Sequence, residues 1–191
     1  MRPGQMADRP NPIAPIALLA AGLASLHASF GLLVNLEFTE VAIGYFAIAG
    51  GFLIAGIALF FATNATGLLV HWIGLGAAAI GALWAAASTF TPVEFNPFVV
   101  ILAILGLALS WNAWYGLQWW LGGNPSRFLE RMGIGYYVAA ATNLAFIPFE
   151  LMDEIYLFLA DDAITAVGFA LAGFFLWRYG RQKRPASAPQ D

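Results

Sequence analysis

Long apolar segments without charged residues are the feature that most restricts how this chain can fold. A membrane-spanning helix needs about 20 mostly apolar residues, and six segments of the chain come near or above that length. They are Ile13–Asn35, Val41–Ala62, Gly67–Ser88, Pro97–Leu121, Gly133–Leu151 and Asp162–Tyr179. Only 10% of the residues are charged, against about 25% in soluble domains. The sequence therefore predicts an all-α integral membrane protein with six transmembrane helices.

The basic residues all fall on one side of such a six-span arrangement. They are Arg2, Arg9, Arg127, Arg131, Arg178, Arg181, Lys183 and Arg184. Five or seven spans would scatter them over both sides. Because loops rich in Lys and Arg stay inside, we expect both termini in the cytoplasm and the chain in the cell (inner) membrane. This gives a cytoplasmic tail at 1–12, a six-helix domain at 13–179 and a basic cytoplasmic tail at 180–191, which we expect against anionic headgroups.

Most acidic residues are predicted in the three connections on the outer side. These are Glu37, Glu40, Glu94, Glu150, Asp153, Glu154, Asp161 and Asp162. Pro148 is expected to kink or end helix 5, and the segment Glu150–Asp162 to lie along the outer interface. No charged residue falls in the middle of a predicted helix, as it normally does in pumps and voltage sensors.

Small residues run through helices 1 to 3, several of them at a spacing of four, and predict close approach between helices. Ala47, Gly51 and Ala55 share one face, and Ala77, Gly81 and Ala85 share another. In lipid, close backbone approach at small residues is a main source of helix association. Part of this small-residue surface is expected to close the protomer, and the rest is available for a homo-oligomer.

Two asparagines lie at similar predicted depth. At 1.5 Å per residue, Asn112 and Asn143 each lie roughly 14 Å from the cytoplasmic surface. Buried amides are expensive in a membrane unless they are paired or hydrated. Two interpretations stay open: an interhelical hydrogen bond that only holds the bundle together, or a polar path for a solute.

The two histidines lie at different predicted depths, roughly 21 Å from the inner surface for His27 and 6 Å for His71. They are therefore too far apart to ligate one haem or metal ion together. His27 is read as a packed core residue or, alternatively, as a pH sensor lining a pore. His71, Gln118 and Asn64 share a depth and predict either an inner polar vestibule or ordinary interfacial residues.

Asn64-Ala65-Thr66 matches the acceptor pattern for N-glycosylation. The predicted topology places it in a cytoplasmic turn, so we expect no glycan there. The chain contains no cysteine, which excludes disulfides and thiol nucleophiles, and no nucleophile–base pair is predicted at a shared depth. We therefore expect no enzymatic activity, no cofactor, no metal and no nucleic-acid partner.

The residues Ala55-Gly56-Ile57, Phe60, Asn64 and Gly67 form the pattern AGI-x-x-F-x-x-x-N-x-x-G. This pattern resembles the junction of the second and third helices in the acetate uptake (succinate–acetate permease) family. Asn11-Pro12 with Pro15, and Gly50-Gly51, are similar to further motifs of that family.

The turn Asn64–Leu68, with the Trp-rich fourth helix and Arg127-Phe128, also resembles the urea/amide channel family. Both families form hexamers of small channels, so the two resemblances imply a homo-oligomer, possibly a hexamer, in the lipid bilayer.

The sequence thus predicts a channel or transporter for a small solute, either a monocarboxylate such as acetate or an amide such as urea. The predicted path passes Asn112 and Asn143, with Asn64, His71 and Gln118 at the inner mouth. An aromatic constriction is expected from Phe30, Trp111 or Trp114. The alternative is a structural or accessory subunit of a membrane complex, whose polar residues only hold helices together.

Overall fold

The computed structural model describes residues 11–35, 39–61, 65–90, 96–122, 124–152 and 156–182. These form six α-helices: α1 (Ile13–Asn35), α2 (Thr39–Phe60), α3 (Ala65–Thr89), α4 (Pro97–Trp120), α5 (Pro125–Met152) and α6 (Tyr156–Gln182). All six are long and apolar enough to cross a membrane. This confirms the predicted all-helical class with six helices able to span a membrane, and it indicates a multi-pass membrane protein.

The six helices form a closed up-and-down ring. Each helix packs on the helices before and after it in the chain, and α1 packs on α6. Among the described residues, no two helices on opposite sides of the ring come into backbone contact. The end where α1 begins and α6 finishes is called the terminal end below. The other end, where α2, α4 and α6 begin, is called the cavity end.

Three helices begin at an asparagine–proline pair: Asn11-Pro12, Asn96-Pro97 and Asn124-Pro125. Each asparagine side-chain oxygen accepts a hydrogen bond from the backbone N–H two residues later, at 2.9, 2.9 and 3.1 Å. This bond satisfies a backbone donor that the first helical turn leaves free, and proline is favoured there because it has no donor to satisfy.

The pair Asn124-Pro125 shows that the predicted start of the fifth helix is wrong. The helix α5 begins at Pro125 and not at Gly133, so most of the predicted loop after α4 belongs to the first turns of α5. The turn between α4 and α5 includes Gly122, whose φ is 88°. Glycine adopts this conformation without strain, whereas other residues do so rarely.

The predicted outer connection between α5 and α6 is also wrong in part. Pro148 does not end α5, which continues through it to Met152. The helix α6 begins at Tyr156, not at Asp162. Glu150, Asp161 and Asp162 are therefore helical residues and not parts of an interfacial loop.

The helices α2 and α3 pack with their backbones close together. A Cβ atom added to Gly51 would lie 2.5 Å from the carbonyl oxygen of Gly74, and one added to Gly81 would lie 2.5 Å from that of Gly44. The two backbones therefore touch at two levels, as membrane helices do at small residues. The predicted close approach of helices at small residues is confirmed at Gly51 and Gly81, and the structure shows that it joins α2 to α3.

The interior of the ring is filled in its middle and at the terminal end. Phe52, Tyr136, Phe169 and Trp119 are among the largest fully buried side chains, and they belong to one core with many alanines. Towards the cavity end, side chains no longer fill the interior of the ring.

Candidate functional site

A cavity of about 390 Å³ lies inside the ring at the cavity end. All six helices contribute side chains to its wall, which places it on the axis of the ring. Its size falls in the range of small-molecule sites. The cavity reaches Asp162, which lies ~9 Å along α6 from the first residue of that helix.

Two carboxyl groups lie on the wall of this cavity. Glu150 comes from the last turn of α5 and is only 5% exposed, and Asp162 comes from α6 and is partly buried. Their side chains lie within hydrogen-bonding reach of each other, and Oε2 of Glu150 is buried without a donor among the described residues. Ionised carboxylates only accept hydrogen bonds, so a hydrogen bond between these two groups requires a proton on one of them.

A third acid, Asp161, points to another neighbour. Its Oδ2 lies 2.7 Å from Nδ1 of His27 on α1. The histidine side chain is 63% exposed on the outer surface of the ring, whereas the aspartate side chain is 9% exposed. The interpretation of His27 as a packed core residue is therefore wrong, and its side chain does not line the axial cavity.

A small void of about 10 Å³ lies beneath the cavity and shares Tyr45 and Asp162 with it. Ser25, Asn143 and Thr165 supply further polar groups to its wall. A space of this size holds at most about one water molecule. The void is therefore a narrow polar continuation of the cavity towards the middle of the ring.

Below the void the axis is closed by aromatic side chains. The rings of Phe52 and Phe169 meet edge to face at 4.8 Å, and Phe169 meets Tyr136 at 5.9 Å. All three side chains are fully buried. The hydroxyl group of Tyr136 is buried without a hydrogen-bond partner.

The terminal half of the ring contains the other predicted polar residues. His71 is fully buried and bonds the carbonyl oxygen of Ala55 through Nδ1 at 2.8 Å, while its Nε2 has no partner. Asn112 is also fully buried, and neither atom of its amide is hydrogen-bonded. Gln118, near the end of α4, is partly buried.

The two midplane asparagines do not lie opposite each other. Asn112 packs on Gly135 of α5, where an added Cβ would overlap its amide, whereas Asn143 lies more than two turns further along that helix. Asn143 donates to Ala139 of its own helix at 2.8 Å. The predicted shared depth is wrong because α5 begins eight residues before the predicted start at Gly133.

The three predicted constriction residues lie on the outer surface of the ring. Phe30, Trp111 and Trp114 are 53%, 47% and 55% exposed. The indole of Trp111 donates to the backbone oxygen of Arg131 at 3.1 Å and ties α4 to α5 from outside. These side chains therefore do not narrow the interior of the protomer. Asn64, the other residue of the predicted inner mouth, lies outside the described residues.

Sequence reasoning missed Tyr45, Glu150, Asp161, Asp162 and Thr165 as possible site residues. The available signal was that apolar residues follow Glu150 and precede Asp161, which extends α5 to Met152 and starts α6 at Tyr156. Within the described ranges, no group of three or more His, Cys, Asp or Glu side chains is placed to hold a metal ion.

Comparisons with protein-family models, curated proteins and solved structures find no match to this chain.

Proposed function

We propose that the protein transports or conducts a small solute across the membrane along the axis of the ring. The observation that carries the proposal is the axial cavity, to which all six helices contribute and which narrows to a polar void. A protein whose only task was to hold neighbouring subunits would gain nothing from an unfilled axis, because empty space forfeits packing energy.

The proposed path continues below the aromatic closure past buried side chains that each have at least one polar atom without a hydrogen-bond partner. Measured from the terminal end at 1.5 Å per residue, Tyr136 lies at ~16 Å, Asn112 at ~12 Å and His71 at ~9 Å. Unpartnered polar atoms at membrane depth are costly. Their succession along the ring supports a route that is hydrated or occupied by solute when Phe52 and Phe169 separate.

The orientation follows from the charges. Arg127, Arg131, Arg178 and Arg181 lie at the terminal end, and the buried carboxyls lie at the cavity end. By the positive-inside rule the cavity faces outward. Of the two solute classes, the carboxyls disfavour a free monocarboxylate such as acetate and favour a neutral amide or a protonated acid.

The test is solute entry into proteoliposomes, measured by stopped-flow light scattering with urea, acetamide and acetate at pH 5 and pH 7. Asn143→Leu and Asn112→Leu are expected to slow entry severalfold, while Leu144→Ala, a change on the outer surface, leaves it unchanged. Entry of n-butylammonium is measured in the same way. Transport is refuted if none of these four solutes enters vesicles that contain the wild-type protein faster than it enters protein-free vesicles.

A second candidate function, a subunit of a larger assembly, is favoured by His27. Its side chain is largely exposed on the outer surface, ~12 Å along α1 from the cavity end. A polar side chain that faces lipid is costly, and a helix of another subunit packed against His27 would remove that cost. The His27→Cys variant tests a homo-oligomer, because the new cysteines of neighbouring chains would cross-link. If no cross-link forms at high protein density, an interface between copies of the chain at position 27 is excluded.

A further inference from the structure

The axial cavity combines two buried carboxyls with an apolar aromatic wall. Phe98, Phe146 and Phe158 line it together with Tyr45. The rings of Phe98 and Phe146 stack at a centroid distance of 5.7 Å. No Lys, Arg or His side chain is among the described residues that line the cavity. Aromatic faces and carboxylates both attract cations, and neither attracts anions.

The carboxyl pair is poorly satisfied by the protein itself. Glu150 is 95% buried, since only 5% of it is exposed, and its Oε2 has no hydrogen-bond partner although the side chain lines the cavity. A buried acceptor left without a donor costs free energy. An N–H donor carried by a ligand in the cavity would remove that cost once the Glu150 side chain turns Oε2 towards the ligand.

We propose that the axial cavity binds a small organic monocation of the alkylammonium class. Its N–H groups bond Glu150 and Asp162, and its alkyl part packs on Phe98 and Phe146. The inference names a substrate class for the proposed transport function and rests on that function only where movement across the membrane is concerned.

Charge balance makes the binding an exchange. The empty pair holds one proton between two carboxyl groups and has a net charge of −1. When the ammonium ion binds, the shared proton leaves to the solvent, both carboxyls are ionised, and the net charge of the occupied site is again −1. The other titratable groups nearby are Tyr45 on the cavity wall and Asp161, which is paired with His27; neither is required to change its charge.

A neutral amide is a weaker explanation of the same site. Urea would satisfy the free carboxyl oxygen, but it provides no reason for two acids to face a phenylalanine-lined wall. Free acetate would meet the negative field of the pair. The geometry therefore favours a cation with a short apolar tail.

The experiment is calorimetric titration of the purified protein in detergent with n-butylammonium chloride, and with n-butanol as the uncharged probe. Titrations at pH 6 and pH 8 in buffers of different ionisation enthalpy report the protons released. We expect one site, about one proton released per cation bound, and tighter binding at pH 8. The alcohol is expected to bind at least about tenfold more weakly.

Two substitutions test whether the two carboxyl groups bind the cation. Glu150→Gln and Asp162→Asn keep the shape of the site and remove one charge each, and each is expected to weaken butylammonium binding at least about tenfold. Glu40→Gln is the matched control, because this acid is exposed at the same end and does not line the cavity. Thermal unfolding of each variant shows whether it is folded.

The outcomes separate the two proposals. Unchanged butylammonium affinity in both folded variants, no binding to the folded wild type, or binding without proton release would overturn the inference. Cation binding without entry of butylammonium, urea, acetamide or acetate into vesicles would leave the inference standing and refute transport. Entry of urea or acetate without cation binding would support transport and overturn the inference.

Discussion

The close contact of α2 with α3 makes a quantitative prediction through two adjacent glycines. A Cβ atom on Gly51 would meet the oxygen of Gly74 at 2.5 Å and the nitrogen of Ala78 at 2.6 Å, whereas one on Gly50 would meet nothing within 4 Å. An ordinary Cβ contact begins at 3.4 Å, so Gly51→Ala must push the helices apart by about 0.9 Å, the difference between 3.4 and 2.5 Å.

The two substitutions are expected to change stability in opposite directions. Alanine is the better helix former by about 1 kcal/mol, and overpacking costs about 1–3 kcal/mol. Gly50→Ala is therefore expected to stabilise the protein by up to about 1 kcal/mol and Gly51→Ala to destabilise it by up to about 2 kcal/mol. Equilibrium unfolding in mixed micelles of increasing SDS fraction measures both. Equal unfolding midpoints for the two variants would show that the α2–α3 backbone contact is not as close as described.

Three further predictions concern the path, the buried histidine and the orientation. Phe169→Ala is expected to speed solute entry into vesicles and to cost about 3–5 kcal/mol, because it removes the fully buried ring that closes the axis; Phe174→Ala, at an exposed position on the same helix, should leave entry unchanged. His71→Leu is expected to change the free energy of unfolding by less than about 1 kcal/mol, because it loses one hydrogen bond and also removes an unpartnered nitrogen; a loss above about 3 kcal/mol would contradict this. Since the chain has no cysteine, a membrane-impermeant maleimide should label Thr39→Cys in intact cells and Asn124→Cys only after permeabilisation, and the reverse pattern would overturn the proposed orientation.

The number of helices was predictable because a membrane span depends on length and apolarity alone. The start of α5 was also within reach, since Asn124-Pro125 repeats the pair that begins α4 at Asn96-Pro97. It was missed because apolarity locates the part of a helix inside the membrane, whereas capping locates where the helix begins. The first turns of α5 are helical but polar, so the apolar pattern did not include them.

The interior of the ring was less accessible to sequence reasoning. In a soluble bundle the polar face of a helix marks the outside, but in lipid both faces are apolar, and no such signal shows which way a side chain points. The aromatic residues Phe30 and Trp111 therefore looked equivalent to Phe52 and Phe169, although only the latter two face the axis. The pairing of Glu150 with Asp162 depends on how α5 and α6 are rotated, which no single segment specifies.

The ring also has consequences for how the molecule is made. Five of its six helix contacts join consecutive segments, and only the contact of α1 with α6 joins distant ones. Contacts between consecutive helices need only the segments already synthesised, but the contact of Gly168 with the backbone of Ala17 must wait until the last helix has been made. Until then the assembly is an open crescent whose future axis faces lipid, with the carboxyl of Glu150 in place and that of Asp162 absent. Closure by α6 is thus the step that both completes the fold and withdraws the acidic site from the bilayer.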